Sequence, residues 1–291
     1  MNTTNLTTQE NIYLSDEIHL VAPKQTPFAT LLLSKKGNSE TGAKIHSWRE
    51  RTLDTSESLA QEGAEAGEGV HSNRAELSNV LQILSKTVKV SGTAQATEKV
   101  GDLFASEIND RLIEVKADLE KALLTSTKND GSDGKPRKMS GLIEFADSEN
   151  LVQEPVSETA IKELARKLWN QGFEGENLYL FVNADIKEEL DSLYKDKYFY
   201  PAKTNDFGLL VNKIETNYGV INVVLDRYMP SEKAVLFDLD QLSIKFLKGR
   251  QPHYEPLGKR GDNLEGMVLL EATLEVGSKK SVAVLDTTTA E

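Results

Sequence analysis

A long run of regularly spaced apolar residues constrains the fold of this chain more than any other feature of its sequence. From Thr97 to Leu124, apolar residues recur every three or four positions, with charged residues between them. That spacing predicts an amphipathic helix of roughly 27 residues, about 40 Å long at 1.5 Å per residue. Thr97 is the expected N-cap, with Glu98 in the first turn. Because helices average about 11–12 residues, we expect this one to act as a spine on which other elements lie.

An acidic, glycine-rich stretch precedes the helix and is flanked by two strand-like segments. Residues 44–49 alternate polar and apolar side chains, and residues 77–92 have a strand-like pattern that becomes strictly alternating at its end. Residues 57–72, between them, contain too little apolar surface to pack on their own. The pattern therefore predicts a protruding hairpin with a long acidic tip. Such a hairpin should lean on a partner, because a lone hairpin is barely stable.

Residues 1–40 are predicted to form a polar arm with spaced apolar anchors. Pro23 and Pro27 interrupt any helix and bias the residues before them toward extended backbone. Phe28 and Leu31 then begin a short apolar face at helical spacing. Two interpretations remain open: an ordinary domain edge, or an arm that packs on a neighbouring subunit.

The rest of the chain, after residue 155, alternates between helical and strand-like patterns. Ser157 is expected to cap a helix over residues 158–170. The apolar run 178–182 predicts a buried strand, followed by a second helix over 184–194. With the hairpin and the spine, these segments predict an α+β fold. Further strands are predicted at 219–225, 233–238, 242–247, 267–276 and 281–285.

The composition argues against several classes of function. The chain has 34 Lys and Arg against 46 Asp and Glu, a formal net charge of −12, so we expect no bulk attraction to nucleic acid or to an anionic membrane. Cysteine is absent, which excludes a thiol nucleophile, a thiolate metal site and a disulfide. The sequence shows no signal peptide and no apolar run near the roughly 20 residues that span a membrane. We expect the protein to stay in the compartment where it is made.

No motif for catalysis, a metal or a cofactor stands out. The four histidines have neither a nucleophile elbow nor zinc-type spacing around them. The glycine-rich stretch at 63–69 lacks the spacing of a phosphate-binding loop, and the turn-rich loop at 128–136 lacks the closing acidic residue of a calcium site. We therefore predict no catalytic residue, no metal and no cofactor. The histidines are His19, His46, His71 and His253.

Two short charged segments are interpreted as ordinary surface features. Residues 135–138, Lys-Pro-Arg-Lys, form a basic cluster that could meet phosphate, but a solvated loop is favoured. Arg260, Gly261 and Asp262 form a tripeptide that some adhesion receptors recognise. A turn in which Arg260 and Asp262 are held in ion pairs is the favoured interpretation.

The order of these elements resembles that of a known protein family. The arm ends in Thr-Pro-Phe-Ala-Thr-Leu-Leu at 26–32, and the acidic hairpin, the spine and an α/β segment follow. The segment Lys-Arg-Gly-Asp-Asn at 259–263 precedes the last strands. The whole chain resembles the major capsid proteins of tailed bacteriophages, whose fold is shared with the herpesvirus capsid floor. The resemblance rests on architecture and loose patterns rather than on an invariant motif.

The resemblance implies a phage major-capsid fold with five regions. They are an N-terminal arm (1–40), an extended hairpin loop (41–97), a peripheral domain with the spine helix (97–154), an axial α/β domain (155–250) and return strands of the peripheral and axial domains (251–291). Because the arm is short, scaffolding is expected from a separate protein, unless the chain is already the mature form.

The implied function is that of a shell subunit. Such proteins form hexamers and pentamers that tile an icosahedral shell around packaged double-stranded DNA, assembled in the host cytoplasm. Expected partners are further copies of the chain, and scaffolding, portal and decoration proteins, with no sequence-specific DNA binding. The acidic tip is expected to meet Lys or Arg across an interface. The residues predicted at subunit interfaces are Phe28, Leu31, Trp48, Glu62, Glu65, Glu68, Leu77, Val80, Ile83, Val88, Val90, Arg260 and Asp262.

Two alternatives stay open at the level of sequence. A tail or connector component of a phage would share the composition and the missing active site. An enzyme built on the α/β segment is the third interpretation, and the residues offer no support for it.

Overall fold

The computed structural model shows a fold built from two β-sheets, a two-stranded hairpin and the helices that lie against the sheets. The residues that it describes are 25–35, 39–52, 59, 62–63, 71–97, 102–173, 175–194, 203–204, 210–259 and 261–288.

The first half of the chain supplies the arm helix, the hairpin and the spine. Its elements are α1 (Pro27–Ser34), β1 (Ser39–Thr41), β2 (Ile45–Thr52), β3 (Asn73–Val80), β4 (Gln82–Ser91), α2 (Gly92–Thr97), α3 (Leu103–Thr125) and α4 (Leu142–Phe145).

The second half supplies most of the strands. Its elements are β5 (Leu151–Gln153), α5 (Glu158–Asn170), β6 (Gly175–Val182), α6 (Ala184–Tyr194), β7 (Lys203–Thr204), β8 (Leu210–Thr216), β9 (Gly219–Leu225), β10 (Lys233–Asp238), β11 (Leu242–Leu247), β12 (His253–Leu257), β13 (Asn263–Val276) and β14 (Val282–Asp286). Short 3₁₀ turns lie at Ser148–Asn150, Leu239–Gln241 and Lys279–Ser281.

The spine helix α3 begins later than the sequence predicts. Its N-cap is Asp102, whose carboxylate accepts hydrogen bonds from the backbone N–H groups of Phe104 and Ala105. The predicted cap at Thr97 is wrong, because Thr97 is the last residue of the short helix α2. The apolar spacing continues through both segments, so periodicity alone does not reveal where the capped helix starts. With 23 residues, α3 is still a spine.

The five-stranded sheet is organised around β13. Strand β4 pairs antiparallel with residues 263–272 of β13. Strands β12 and β11 pair antiparallel with residues 265–269 and 272–276, and β1 adds to β11 in parallel. A strand that precedes the spine and strands near the end of the chain therefore form one sheet.

The sequence predicts a single hairpin strand over residues 77–92, but the structure shows two strands there. The segment is divided at Leu81, so that β3 pairs with β2 whereas β4 pairs with β13. Leu81 is fully buried, and its N–H group donates to the carbonyl oxygen of Lys44 at 3.0 Å. Because Val80 and Leu81 are both buried, the alternation of inward and outward side chains changes phase, and the second strand takes a new partner. The hairpin itself is confirmed as the pair β2–β3.

The seven-stranded sheet separates two hydrophobic cores. Its strands lie in the order β5-β14-β10-β6-β9-β8-β7. Neighbouring side chains of one strand enter different cores: Leu180 and Leu236 pack with α5 and α6, whereas Phe181 and Phe237 pack with α1 and α3. Apolar coverage on both faces explains why these strands have nearly continuous apolar sequences.

The sheets do not follow the expected regions residue by residue. Strand β11 lies in the range expected for the axial domain, yet it pairs with β13 and β1 in the five-stranded sheet. Strand β5, in the range expected for the peripheral domain, lies in the seven-stranded sheet, which β14 of the return segment also joins, as the expectation for that segment allows. The domain boundaries themselves stay predictions.

Candidate assembly surfaces

Helix α1, at the end of the predicted arm, is docked inside the subunit. Phe28 is fully buried, and its ring meets the rings of Phe181 and Phe237 edge-on, with centroids 5.4 Å apart in both cases. Leu31 is buried in the same core. The sequence predicts Phe28 and Leu31 at a subunit interface, but the core of the chain already covers their apolar surface.

Four more residues predicted at an interface are covered in the same way. They lie on β3 and β4. Alternation places Val88 and Val90 on one inward face of β4, whereas Leu77 and Val80 are both buried on β3, with Val80 next to the division at Leu81. Burial within one chain leaves them no surface for a neighbour. These residues are Leu77, Val80, Val88 and Val90.

The base of the hairpin is fixed to β13 by side-chain hydrogen bonds. Strand β4 pairs with β13 only as far as Ala272. Beyond that point the Trp48 ring N–H donates to the Val276 carbonyl oxygen, and the Asn79 amide donates to the Leu274 carbonyl oxygen, both at 2.8 Å. Backbone acceptors that β4 does not reach are thereby satisfied. The hairpin is therefore held at its base by polar contacts that orient it.

The outward face of the hairpin carries three arginines. In the cross-strand register, Arg49 lies opposite Glu76 and Arg51 lies opposite Arg74, and all four residues are exposed. Among the described residues, the arginines that form ion pairs with a carboxylate are Arg111, Arg137 and Arg250. None of the three arginines on the hairpin forms such a pair in these ranges. Like charges placed opposite each other destabilise a two-stranded pair. This face is therefore better suited to an acidic partner than to solvent.

A cleft of about 650 Å³ lies beside the hairpin. Arg49, Arg51 and Lys280 line it, whereas the acidic lining residue Glu50 already accepts a hydrogen bond from the hydroxyl of Ser278. The cleft is thus locally cationic in a chain whose net charge is −12. Sequence reasoning missed these arginines, although their spacing of two residues near a predicted strand places them on one face.

The other residues predicted at an interface have mixed positions. Trp48 is half-buried at the hairpin base, Ile83 is 47% exposed, and Glu62 is exposed. Glu65, Glu68 and Arg260 lie outside the described residues.

Asp262 lies in a turn beside the start of α2. Gly261 has a φ of +68°, and the Asp262 carbonyl oxygen accepts a hydrogen bond from the Gly92 N–H group at 2.6 Å. A Cβ atom at position 92 would lie 2.5 Å from the Asp262 carboxylate, so a larger residue there would require the exposed Asp262 side chain to move. The predicted turn is present, but no cation in the described part of the chain forms an ion pair with the exposed Asp262.

The sequence predicts a solvated loop at 135–138, but the structure shows that this basic segment is only partly exposed to solvent. Lys135 is exposed beside Asp133, but Arg137 reaches Glu271 of β13 at 2.8 Å. Glu271 is 3% exposed, and Arg250 lies 3.8 Å from its other carboxylate oxygen. A buried carboxylate needs such partners. Arg137 therefore ties the turn-rich loop to the five-stranded sheet, a contact that local sequence does not reveal.

The described residues contain neither a cluster of metal ligands nor a membrane-length apolar helix. No group of three or more His, Asp or Glu side chains in these ranges could hold a metal ion. No helix in the same part of the chain is long and apolar enough to cross a membrane.

Comparison with known families identifies the chain. The family model of the SU10 major capsid protein matches residues 1–289. The chain belongs to this family. It is a shell-forming major capsid protein of a bacteriophage, and its place is the capsid shell of the virion.

A curated relative agrees with this assignment. The major capsid protein of Escherichia phage Phieco32 is 33% identical to this capsid protein over 112 residues. The match covers 37% of this chain and 31% of the relative, so the chain spans about a third of that protein's length.

Solved structures share the fold over most of the chain. The capsid subunit of Cyanophage A-1(L) has a TM-score of 0.64 at 15% identity and covers 91% of this chain and 93% of its own. A protein of Mycobacterium phage Bobi has a TM-score of 0.62 at 12% identity, with 89% and 91% covered. The SrpI encapsulin of Synechococcus elongatus PCC 7942 has a TM-score of 0.60 at 16% identity, with 87% and 88% covered. The predicted phage major-capsid fold is confirmed.

Proposed function

We propose that this capsid protein assembles with copies of itself into hexamers and pentamers, and that these tile an icosahedral head shell around packaged double-stranded DNA. Membership of the capsid family supports the shell role. The observation that supports self-assembly concerns the hairpin. Its base is fixed to the subunit by hydrogen bonds, while its arginine face forms no ion pair with a carboxylate in the described part of the chain.

The proposed contact joins the arginine face of one copy to an acidic surface of a neighbour. Arg49, Arg51 and Arg74 supply the positive side. The net charge of −12 makes acidic surface abundant, and the helix α6 alone exposes Asp185, Glu188 and Glu189. Unlike patches on identical subunits form head-to-tail contacts that close into rings. Charge complementarity also fixes the register of such contacts.

The remaining interface residues are proposed to frame this contact. Trp48 would hold the hairpin at the required angle, and Ile83 offers exposed apolar surface nearby. Glu62 and Asp262 are exposed carboxylates that can meet cations of a neighbour. We extend the same role to Glu65, Glu68 and Arg260 on sequence grounds alone.

We also propose the wider partners expected of a head-shell subunit. These are scaffolding, portal and decoration proteins, with assembly in the host cytoplasm before DNA is packaged. An acidic inner wall would enclose the DNA without sequence-specific binding. A basic wall would instead attract the DNA and retain it in the shell. A positively charged inner wall in an assembled shell would contradict this part of the proposal.

Charge reversal tests the hairpin contact. In the double variant Arg49→Glu/Arg51→Glu, we expect a folded subunit that no longer forms shells, since the contact becomes repulsive. The matched control is Arg166→Glu/Lys213→Glu, which makes the same change in net charge at exposed positions of α5 and β8, outside the hairpin and the other proposed interface residues. Circular dichroism reports folding, and electron microscopy reports assembly. Normal shells from the arginine variant would refute the contact.

Electron microscopy of the purified wild-type protein tests the shell itself. Closed icosahedral particles are the expected result. Tubes or small rings would instead support a tail or connector component.

A further inference from the structure

Three titratable side chains are buried between the arm helix α1 and the spine helix α3, away from the hairpin. Lys116 and Glu120 lie one turn apart on α3 and are both fully buried, and Asp226, just after β9, is 1% exposed. Buried ionisable groups are rare unless they are paired. Neither the fold nor the proposed assembly contact explains why three of them meet here.

Glu120 caps the arm helix from another element. Its two carboxylate oxygens accept hydrogen bonds from the backbone N–H groups of Phe28 and Ala29, at 2.7 and 2.5 Å. The first turn of any helix has N–H groups without an intrahelical partner. The residue before α1, Thr26, makes no capping bond with its side chain. The spine therefore supplies the cap that the arm lacks, and arm docking depends on the state of this carboxyl group.

Asp226 places a second carboxyl group beside the first. One of its oxygens accepts a hydrogen bond from the Tyr228 N–H group at 2.8 Å. The other oxygen is buried and accepts no hydrogen bond from an N–H or hydroxyl group of the described residues, and the Asp226 and Glu120 carboxyl groups lie within hydrogen-bonding reach of each other. Burial raises the pKa of both Glu120 and Asp226, and for Glu120 the charge of Asp226 raises it further. Two neighbouring buried carboxyl groups resist ionising together, so below the raised pKa the pair holds one proton that it shares.

The charged groups around the pair can be assigned element by element. On α3, burial lowers the pKa of Lys116 to about 8, and Lys121 lies over the Tyr228 ring, 5.4 Å from its centroid. After β9, Arg227 is exposed and favours the charged form of Asp226. Helix α1 contributes backbone N–H groups but no titratable side chain. When the pair holds its proton, the buried trio therefore balances, with one ammonium, one carboxylate and one protonated carboxyl group.

We propose that the proton shared by Glu120 and Asp226 locks the arm helix onto the spine helix, so that arm docking tightens in mild acid and loosens as the pH rises. In the docked state the pair binds a proton that two exposed carboxyl groups would release. A carboxyl group whose pKa is raised by docking stabilises the docked state below its ordinary pKa. This stabilisation of the docked state is lost as the pH rises from about 5 through the raised pKa, because the pair then releases its proton to solvent. The inference concerns the subunit and does not depend on how the subunits assemble.

Hydrogen exchange of the purified full-length chain tests the proposal. After correction for the intrinsic exchange rate, the protection of the Phe28 and Ala29 amides should fall between pH 5 and pH 8 by up to about tenfold per pH unit, the limit for one proton. The Ala160 amide is the internal reference, because it is capped by the neutral hydroxyl of Ser157. Protection at Phe28 and Ala29 that does not change with pH would overturn the proposal without any variant.

One substitution locates the proton. In Asp226→Asn, Glu120 stays buried but loses the neighbouring charge that raises its pKa further, so the dependence on pH should weaken and move to lower pH. Asp110→Asn, at an exposed position of the same helix, is the matched control and should keep the wild-type dependence. A dependence in Asp226→Asn that is unchanged from wild type would place the proton elsewhere and overturn the assignment.

Discussion

The arm helix and the hairpin are attached to the rest of the subunit in different ways. Helix α1 is short, but Phe28 lies in the core and Glu120 caps its first turn. The hairpin β2–β3 is longer, yet polar bonds at its base, such as that from Trp48, hold it to β13, and its outer face is exposed. The comparison teaches that the arm helix belongs to the folded subunit, whereas the hairpin is available to a neighbour. Three variants test this difference, from the largest expected change in stability to the smallest.

Phe28→Ala should destabilise the subunit most. The ring is fully buried between Phe181 and Phe237, and its removal leaves a cavity. Such substitutions cost about 3–5 kcal/mol. Chemical denaturation should show the loss as a lower midpoint. Ile83→Ala, at a half-exposed position, is the control and should lose far less. Equal losses would mean that the arm helix is not part of the core.

Trp48→Phe should have an intermediate effect. It removes the hydrogen bond to the Val276 carbonyl oxygen while keeping an aromatic ring. Loss of such a bond costs about 0.5–1.5 kcal/mol. We expect a small shift of the unfolding midpoint and a larger effect on assembly, because the angle of the hairpin is no longer fixed. A variant that assembles like wild type would show that this bond does not orient the hairpin.

Deletion of residues 57–72 should change the stability of the subunit least. The bonds that fix the hairpin come from His46, Trp48 and Asn79, outside the deleted range. The subunit should therefore unfold at nearly the wild-type denaturant concentration but fail to form stable shells in electron micrographs. Deletion of the exposed loop residues 132–134 is a control for shortening a loop on another surface. Unimpaired shells after the 57–72 deletion would count against the role of the tip.

Local features of the fold were predictable where the signal is carried by neighbouring residues. The Ser157 hydroxyl accepts a hydrogen bond from the Ala160 N–H group, as the cap prediction requires, and α5 covers the expected range. The strands β9, β10 and β11 also coincide with their predicted ranges. Caps and alternation act over a few residues, so sequence alone suffices for them.

The candidate surface was less predictable. Six of the residues expected at an interface turned out to lie inside the subunit, because an apolar pattern shows that a residue is covered but not what covers it. The opposite error concerns Arg49, Arg51 and Arg74, which sequence reasoning passed over. Their importance comes from the register of β2 and β3, which sets Arg51 opposite Arg74, and from the finding that none of the three forms an ion pair with a carboxylate in the described ranges.

The sequence by itself determined the order of helices and strands, the acidic balance, and the resemblance to phage capsid proteins, because these follow from composition and short-range spacing. Only the tertiary structure decided that the chain divides at Leu81, that β4 joins β13, and that Glu120 meets Asp226 under the arm helix. These contacts join residues far apart in the chain. Their free energy depends on which surfaces meet after folding, and no local pattern carries that information.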